Sequence, residues 1–375
     1  MQFAHLLDKN GNQDKYYVSF TKKIKEPEPL IKLIVPVEPL IKLIVPVEPL
    51  IKLIVPIEKI QCKVKYNKDI THISDLIELA NQYPAKEDIT YTNVNIHALH
   101  RIVPFLKQID QMIALTNFKQ TLVDQIVYYL QPNIDKTNDY KHTIISGPPG
   151  TGKTEIAKLL GSIFSNLGVF GEGLSPKFRK VTRSDLVAGY LGQTAIKTND
   201  IVKSALGGVL FIDEAYSLGN ADKKDSYSKE CIDSLCELLS VHKGELMVII
   251  AGYEHELDDC FFSYNQGLKS RFAWKFVIDG YSAKELHEMF ISKLATTNIS
   301  YDLPNMVQWF SKRMSQFTSF GRDIDTFISK IKIVYYRRTF CKDDTSITIE
   351  DVNAGYAMMC PSIVLPNNNK LFYYS

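Results

Sequence analysis

Apolar and polar positions along the chain follow two periods. In "THISDLIELA" (71–80) polar, cap-type residues precede an apolar pattern of helical spacing, and "NIHALHRIVPFLKQI" (95–109) predicts a second helix, bent or broken at Pro104. "TNFKQTLVDQIVYYLQ" (116–131) sets Phe118, Leu122, Ile126 and Tyr129 on one face and predicts an amphipathic helix leading into the next domain. Ile156, Leu159, Leu160 and Ile163 form a further stripe; so do Ile232, Leu235, Leu238 and Leu239. "YSAKELHEMFISKLA" (281–295) opens with Ser282 as N-cap and Glu285 three residues on, the capping-box spacing, before the apolar face of Leu286, Phe290 and Leu294. "FGRDIDTFISKIKIVYYRR" (320–338) adds a last amphipathic helix with basic residues at its end. Val209 to Ile212, by contrast, are continuously apolar, as a strand buried on both faces of a parallel sheet requires.

Residues 28–57 break both periods. Three near-perfect copies of "EPLIKLIVPV" carry Lys32, Lys42 and Lys52 inside their apolar runs and prolines such as Pro36 and Pro39 between them. A membrane span needs about 20 apolar residues without such charges, so the repeats predict either short strands or a semi-stiff tether, two readings that stay open.

Composition changes little in this picture. With 375 residues, 45% hydrophobic and 23% charged, the chain can bury a large core and is expected to hold two or three domains. Lys+Arg 44 against Asp+Glu 42 leaves a net charge of +2, which gives no general electrostatic reason to bind nucleic acid or an anionic membrane. The six cysteines (Cys62, Cys231, Cys236, Cys260, Cys341 and Cys360) form no C-x-x-C pair, and "MQFAHLLDKNGNQDK" lacks a signal-peptide core, so reduced thiols and a cytoplasmic location are expected. Cys231 and Cys236 belong to a helical core pattern rather than to a metal site. His97 and His100 lie one helical turn apart but lack a third ligand, and a solvated pair is expected.

The chemistry concentrates in two stretches. "HTIISGPPGTGKTEIAKLLGSIF" (142–164) has the order strand, glycine loop, helix. Gly147, Gly150 and Gly152 permit the backbone angles that turn several N–H groups towards one point, and the positive end of the following helix adds to them, an arrangement that cradles a triphosphate. Lys153 would neutralise phosphate oxygens, and the Thr154 hydroxyl would ligate Mg²⁺. In a chain of this length a chance G-x-x-x-x-G-K-[ST] is on the order of one in a hundred. About sixty residues on, "GGVLFIDEAYSL" (207–218) ends its apolar strand in two acids. Asp213 can hold the hydration shell of Mg²⁺, and Glu214 can polarise an attacking water.

These two motifs, with "AGYLGQTAIKT" (188–198), "VIIAGY" (248–253), "NQGLKSRFAWKFVIDGYSAKEL" (265–286) and "FGRDI" (320–324), resemble AAA+ ATPases, most closely the branch of red-type rubisco activase (CbbX-like) and stage V sporulation protein K. The likeness runs from about Leu106 to Tyr356. It implies an α/β P-loop NTPase core with a parallel sheet, then a small helical lid, with the repeats as an N-terminal extension. The repeats and the segments around them are not covered by the likeness; with these included, the expected organisation is 1–57 repeat segment, 58–105 small adaptor-like region, 106–279 nucleotide-binding domain and 280–375 lid and tail. By the same resemblance Gly147, Pro148, Pro149, Gly150, Thr151, Gly152, Lys153 and Thr154 bind ATP as Walker A, and Asp213 and Glu214 are Walker B. Arg271, in "KSRF", matches the arginine finger that reaches the nucleotide of a neighbouring subunit, and Arg322 matches sensor 2 on the lid. Many members end the sensor 1 strand in Asn or Thr; this chain has "AGYE", and Tyr253 is given no firm role. Tyr190, Leu191 and Gly192 match the pore loop that grips a polypeptide in the centre of a ring.

The expected function is therefore Mg²⁺-dependent ATP hydrolysis by a homo-oligomeric ring, of six subunits by family expectation, that remodels a protein partner. A nucleic-acid motor would want a basic, aromatic pore, and "GYLGQTAIK" holds one lysine. A nucleotide-gated scaffold would have no need of Glu214 or Arg271.

Overall fold

The computed structural model describes residues 60–134, 139–171, 177–190, 192–220, 222, 225–342 and 346–361. The decapeptide repeats lie outside the described residues, as does Leu191.

Described elements begin with strand β1 (Ile60–Cys62), helix α1 (Ile73–Gln82), strand β2 (Ile89–Tyr91) and helices α2 (Ile96–Asp110) and α3 (Thr116–Leu130). Asn95 caps α2 through its side chain, which accepts from the Ala98 N–H. Of the two outcomes expected at Pro104, a bend or a break, the break does not occur: α2 runs through it without interruption. Pro104 itself is exposed, so its ring displaces no core packing. His97 and His100 bond to the backbone oxygens of Ile89 and Tyr83 at 3.3 and 2.7 Å, so the pair is half-buried and spoken for rather than solvated.

The sheet is built from β3 (Thr143–Ser146), β4 (Phe178–Val181), β5 (Gly208–Ile212), β6 (Leu246–Gly252) and β7 (Trp274–Val277), in the order β4-β5-β6-β3-β7 and parallel throughout. Strand order therefore reverses at β3, and the crevice at the carboxyl ends of β3 and its neighbours is where such a sheet takes a ligand. Helices α4 (Lys153–Asn166), α5 (Arg183–Leu186), α6 (Thr194–Ser204), α7 (Ser226–Val241), α8 (Glu254–Cys260) and α9 (Gln266–Lys269) surround it.

Alternation along the strands divides the interior into two. In β6, fully buried, Met247, Ile249 and Ala251 join one core while Leu246, Val248 and Ile250 join the other. The first core also receives Leu76 and Leu79 of α1, Leu99 and Leu106 of α2, Phe118 and Leu122 of α3 and the stripe Ile156, Leu160, Ile163 of α4. This corrects the separate region expected over 58–105. Its helices cover one face of the sheet and share its core, and a boundary after 105 would cut α2 in mid-helix. The second core holds Cys231, Ile232, Leu235 and Leu239 of α7, so "CIDSLC" packs as expected.

After β7 a third, separate core begins at Tyr281 and continues to Tyr356. It is made by α10 (Ala283–Ala295), strand β8 (Ser300–Tyr301), α11 (Val307–Ser311), α12 (Phe320–Thr339), strand β9 (Ser346–Ile347) and α13 (Ile349–Met359). The capping box opening α10 forms as the spacing predicts, with Ser282 Oγ accepting from the Glu285 N–H at 3.3 Å and Glu285 Oε2 accepting from the Ser282 N–H at 2.6 Å. Trp309 stacks on Phe327 at 5.3 Å between ring centres, with the Arg313 guanidinium 4.3 Å from the Trp309 ring. None of the described helices is long and apolar enough to cross a membrane.

One buried polar group ties the sheet to the second core. The His142 imidazole accepts the Val248 N–H at Nδ1 (3.1 Å), and its Nε2 lies 3.3 Å from the Leu239 carbonyl oxygen, so the ring is neutral with its proton on Nε2. Burial, assisted by the charges of Lys141 and Arg271, pushes its pKa down to about 4. An unfolded histidine titrates near about 6.5, so below that pH the unfolded chain binds the proton first. Stability contributed by neutral His142 is complete above pH about 6.5 and is lost as the pH falls towards about 4, by on the order of 3 kcal/mol. Urea unfolding midpoints at pH 7.5 and 5.0 test this: the fall expected for wild type shrinks in His142→Gln, whose side chain takes no proton.

Candidate nucleotide-hydrolysis site

The loop after β3 is held by backbone on both sides. The Gly147 N–H donates to the Gly252 carbonyl at 3.2 Å, and the Ile278 N–H donates to the Ser146 carbonyl at 2.8 Å. Gly150, at φ +70°, passes so close to the lid that an added Cβ would stand 1.8 Å from the Ser319 carbonyl oxygen; the Gly321 N–H donates to the Gly150 carbonyl at 3.1 Å. Only glycine fits there. Thr151 Oγ1 donates to the Pro148 carbonyl at 2.9 Å, which closes the loop on itself before α4 begins.

Lys153, first residue of α4, turns back over this loop and donates to the carbonyls of Gly147 (2.8 Å) and Pro148 (2.7 Å). Its ammonium lies 5.5 Å from the centre of the Tyr253 ring. Burial holds its pKa below the usual lysine range, against the opposing pull of the Asp213 and Glu214 carboxylates. Thr154 Oγ1 donates to Asp213 Oδ2 at 3.3 Å, and the same oxygen takes the Lys180 ammonium at 2.6 Å. Glu214 follows in the left-handed region, at φ 51° and ψ 47°, where a non-glycine residue is strained.

Pro149 to Glu155, Asp213, Glu214, Tyr216, Gly252, Tyr253, Lys293, Gly321, Arg322 and Asp325 enclose a cleft of about 470 Å³ between sheet and lid. The structure thus brings together the glycine loop, Lys153, Thr154, both acids and Arg322. A second cavity of about 560 Å³ opens on the other side of Asp213 and Glu214, against Thr182, Arg183 and Ser184. Among the described residues neither the Glu214 carboxylate nor the Arg322 guanidinium has a hydrogen-bond or ion-pair partner. Thr154 and Asp213 supply neighbouring hard oxygens of the kind a magnesium ion takes.

Three expected residues lie elsewhere. Arg271 is not among the residues lining the cleft of its own chain; its Nε donates to Ser240 Oγ at 2.7 Å and its Nη1 to the Gly267 carbonyl. Tyr190 is 74% exposed, and Gly192 sits at φ +80°. Sequence reading missed Lys180, the cation on Asp213, and Lys293, which lines the cleft from the lid and pairs with Asp325 at 2.6 Å. Lys180 reaches Asp213 because β4 pairs with β5 in a register that brings Val181 opposite Ile212, and that register leaves no local mark on the sequence.

A profile of the ATPase family associated with various cellular activities (AAA) matches residues 143–277. The chain is 32% identical over 295 residues to a cfxQ-like protein of Acanthamoeba polyphaga mimivirus, covering 76% of this chain and 71% of that protein. It is 30% identical over 292 residues to a CfxQ homolog of Pyropia yezoensis, covering 76% and 93%. Stage V sporulation protein K of Bacillus subtilis is 41% identical over 168 residues, which are 45% of this chain and 50% of that protein.

The backbone strain at Glu214 can be measured. Glu214→Gly removes it and is expected to raise the thermal midpoint by about 2 °C, for a gain of about 1 kcal/mol, while abolishing hydrolysis. Glu214→Gln keeps the strain and is expected to leave the midpoint unchanged. Calorimetry of the two variants without nucleotide checks both.

Proposed function

Because the chain belongs to the AAA family of ATPases, with cfxQ-like proteins among its relatives, we propose that it hydrolyses ATP as a Mg²⁺-dependent ring and uses the energy to pull a segment of a protein partner. The observation that carries the hydrolytic part is the convergence of Lys153, Thr154, Asp213, Glu214 and Arg322 on one cleft.

In this reading Gly147 to Gly152 present their N–H groups to the phosphates, and Lys153 exchanges its carbonyl partners for phosphate oxygens. Thr154 and Asp213 hold Mg²⁺, which supplies charge neutralisation at the phosphates. Glu214, unpaired and fixed by its left-handed backbone, accepts the proton of the attacking water. Arg322 binds from the lid, whose backbone already touches the loop at Gly150. Arg271, remote from its own cleft, serves the site of the next subunit, so turnover requires assembly.

Tyr190 supports the remodelling part. A tyrosine this exposed on a loop has little to gain within its own chain, whereas a covered apolar side chain contributes roughly 1.5–3 kcal/mol whatever the sequence of the polypeptide covering it. Gly192 lends the loop its backbone freedom.

ATPase rate per subunit against protein concentration, with mass measured in ATP, tests the ring. A steep rise as subunits assemble, lost by about 10³-fold or more in Arg271→Ala, is expected; a concentration-independent rate from a monomer overturns it. Lys153→Ala is expected to weaken nucleotide binding by at least about 100-fold in fluorescent-nucleotide titrations. Tyr190→Ala is expected to bind nucleotide as wild type does and to lose ATP-dependent crosslinking to an unfolded polypeptide such as reduced casein. Equal crosslinking by the two proteins removes Tyr190 from substrate handling.

A further inference from the structure

Arg271 is restrained before any partner arrives. It follows α9, whose start is fixed by Asn265: the Asn265 side chain accepts from the Gly267 N–H at 3.0 Å, while its amide donates to Asp233 on α7 at 2.9 Å. This pins the turn to α7. From α7, Ser240 Oγ accepts the Arg271 Nε–H at 2.7 Å, and the Gly267 carbonyl accepts from Nη1. Gly267 leaves just enough room, since a Cβ there would stand 3.1 Å from Nη1.

The two bonds use the guanidinium in an ordered way. Of its five N–H donors, Nε–H and one on Nη1 are engaged with the chain itself, which fixes the plane of the group and leaves one hydrogen on Nη1 and both on Nη2. Among the described residues Nη2 has no hydrogen-bond partner. Ser240 is suited to the task because its own hydroxyl hydrogen goes to the Cys236 carbonyl one helical turn back, at 3.2 Å, so a lone pair is directed at Arg271. The rotor is therefore locked.

From this geometry we infer that Ser240 is a positioning residue for ATP hydrolysis: it holds the Arg271 fork so that its Nη2 edge meets the phosphate of the neighbouring subunit. The inference rests on the reading of Arg271 as acting across the subunit boundary. An arginine free to rotate would have to be ordered during the reaction, and misplacement of a catalytic charge by about 1 Å costs up to about 100-fold. Ser240 touches no substrate, so its loss should appear in turnover and not in nucleotide affinity. Threonine can make the same i−4 bond and the same acceptance, whereas alanine can make neither.

The test compares the full-length wild type with Ser240→Ala, Ser240→Thr and Arg271→Ala, measuring kcat, KM for ATP, fluorescent-nucleotide affinity and mass in ATP. Ser240→Ala is expected to lower kcat about 10- to 100-fold with KM, nucleotide affinity and assembled mass unchanged, and Ser240→Thr to recover most of the loss. Wild-type kcat in Ser240→Ala beside an inactive Arg271→Ala overturns the role of Ser240 alone. So does a Ser240→Ala protein that fails to assemble or to bind nucleotide, or a loss that threonine does not rescue, because each marks a merely structural serine. Wild-type kcat in Arg271→Ala overturns the trans-acting arginine itself, and with it the premise.

Discussion

The contact between Gly150 and the lid is the constraint on which the rest of the site depends. At this point two backbones meet with no side chain between them: Gly321 donates its N–H to the Gly150 carbonyl, and the Ser319 carbonyl occupies the space a Cβ on Gly150 would need. A Cβ on Gly321 would in turn stand 2.8 Å from the Gly150 carbonyl oxygen. Close approach sets where α12 begins, and Arg322 follows one residue later with its guanidinium at the cleft. Lys293 reinforces the same corner, donating to the Gly321 carbonyl at 3.1 Å while paired with Asp325. The lid's own core, with its stacked Trp309 and Phe327, shares no buried residue with the two cores of the sheet, so it can move as a unit about this contact.

Charge in the cleft is arranged around what is already paired. Asp213 is met by Lys180, Asp325 by Lys293, and Glu155 by Lys158, the last of these an exposed pair of small energetic weight. Among the described residues Glu214 and Arg322 remain without such a partner, one anion and one cation lining the same cleft. Lys153 stands between these classes, since its hydrogen bonds are to neutral carbonyls that charged phosphate oxygens readily replace. Glu214 pays for its position in backbone strain, which the continuous burial of β5 and the following turn can sustain.

What could be read from the sequence, and what could not, divides by the range of the interaction. The glycine loop, Lys153 and Thr154 are contiguous, and their geometry follows from local backbone preferences; the capping box at Ser282 and Glu285 is local in the same sense. The continuous apolar run of β5 was legible as a strand buried on both faces, and the stripe on α4 as a buried helix face. Helices α1 to α3 were harder. An amphipathic pattern states that a face is buried without naming the surface that buries it, so the faces of Leu76 and Leu99, expected in a small adaptor-like region, fit equally well as cover for a sheet. Lys180 on Asp213 depends on strand register, and Lys293 on how two lid helices cross, neither of which leaves a trace within a few residues. At Pro104 no break occurs, because the rule against proline in helices counts one lost backbone bond, whereas α2 is held by the apolar face of Ile96, Leu99, Ile102, Leu106 and Ile109 that it buries.

Between the acids and the exposed tyrosine runs a short physical connection. The turn after Glu214 (Ala215–Leu218) offers the carbonyls of Ser217 and Leu218 to Arg183 Nη1, both at 2.9 Å, and Arg183 Nη2 pairs with Asp225 at 2.5 Å. Arg183 opens α5, which leads directly into the loop that carries Tyr190. On the far side of that loop Lys197 of α6 donates back to the carbonyls of Ser184 and Val187, at 2.7 and 2.9 Å, and the buried Thr198 hydroxyl donates to the Leu186 carbonyl at 3.2 Å. The loop is thus anchored at both ends to α5, and α5 is anchored to the residues that follow Glu214. In the proposed reading of the site, a displacement of the acidic strand end would pass along these bonded groups to the Tyr190 loop, where they reach the surface.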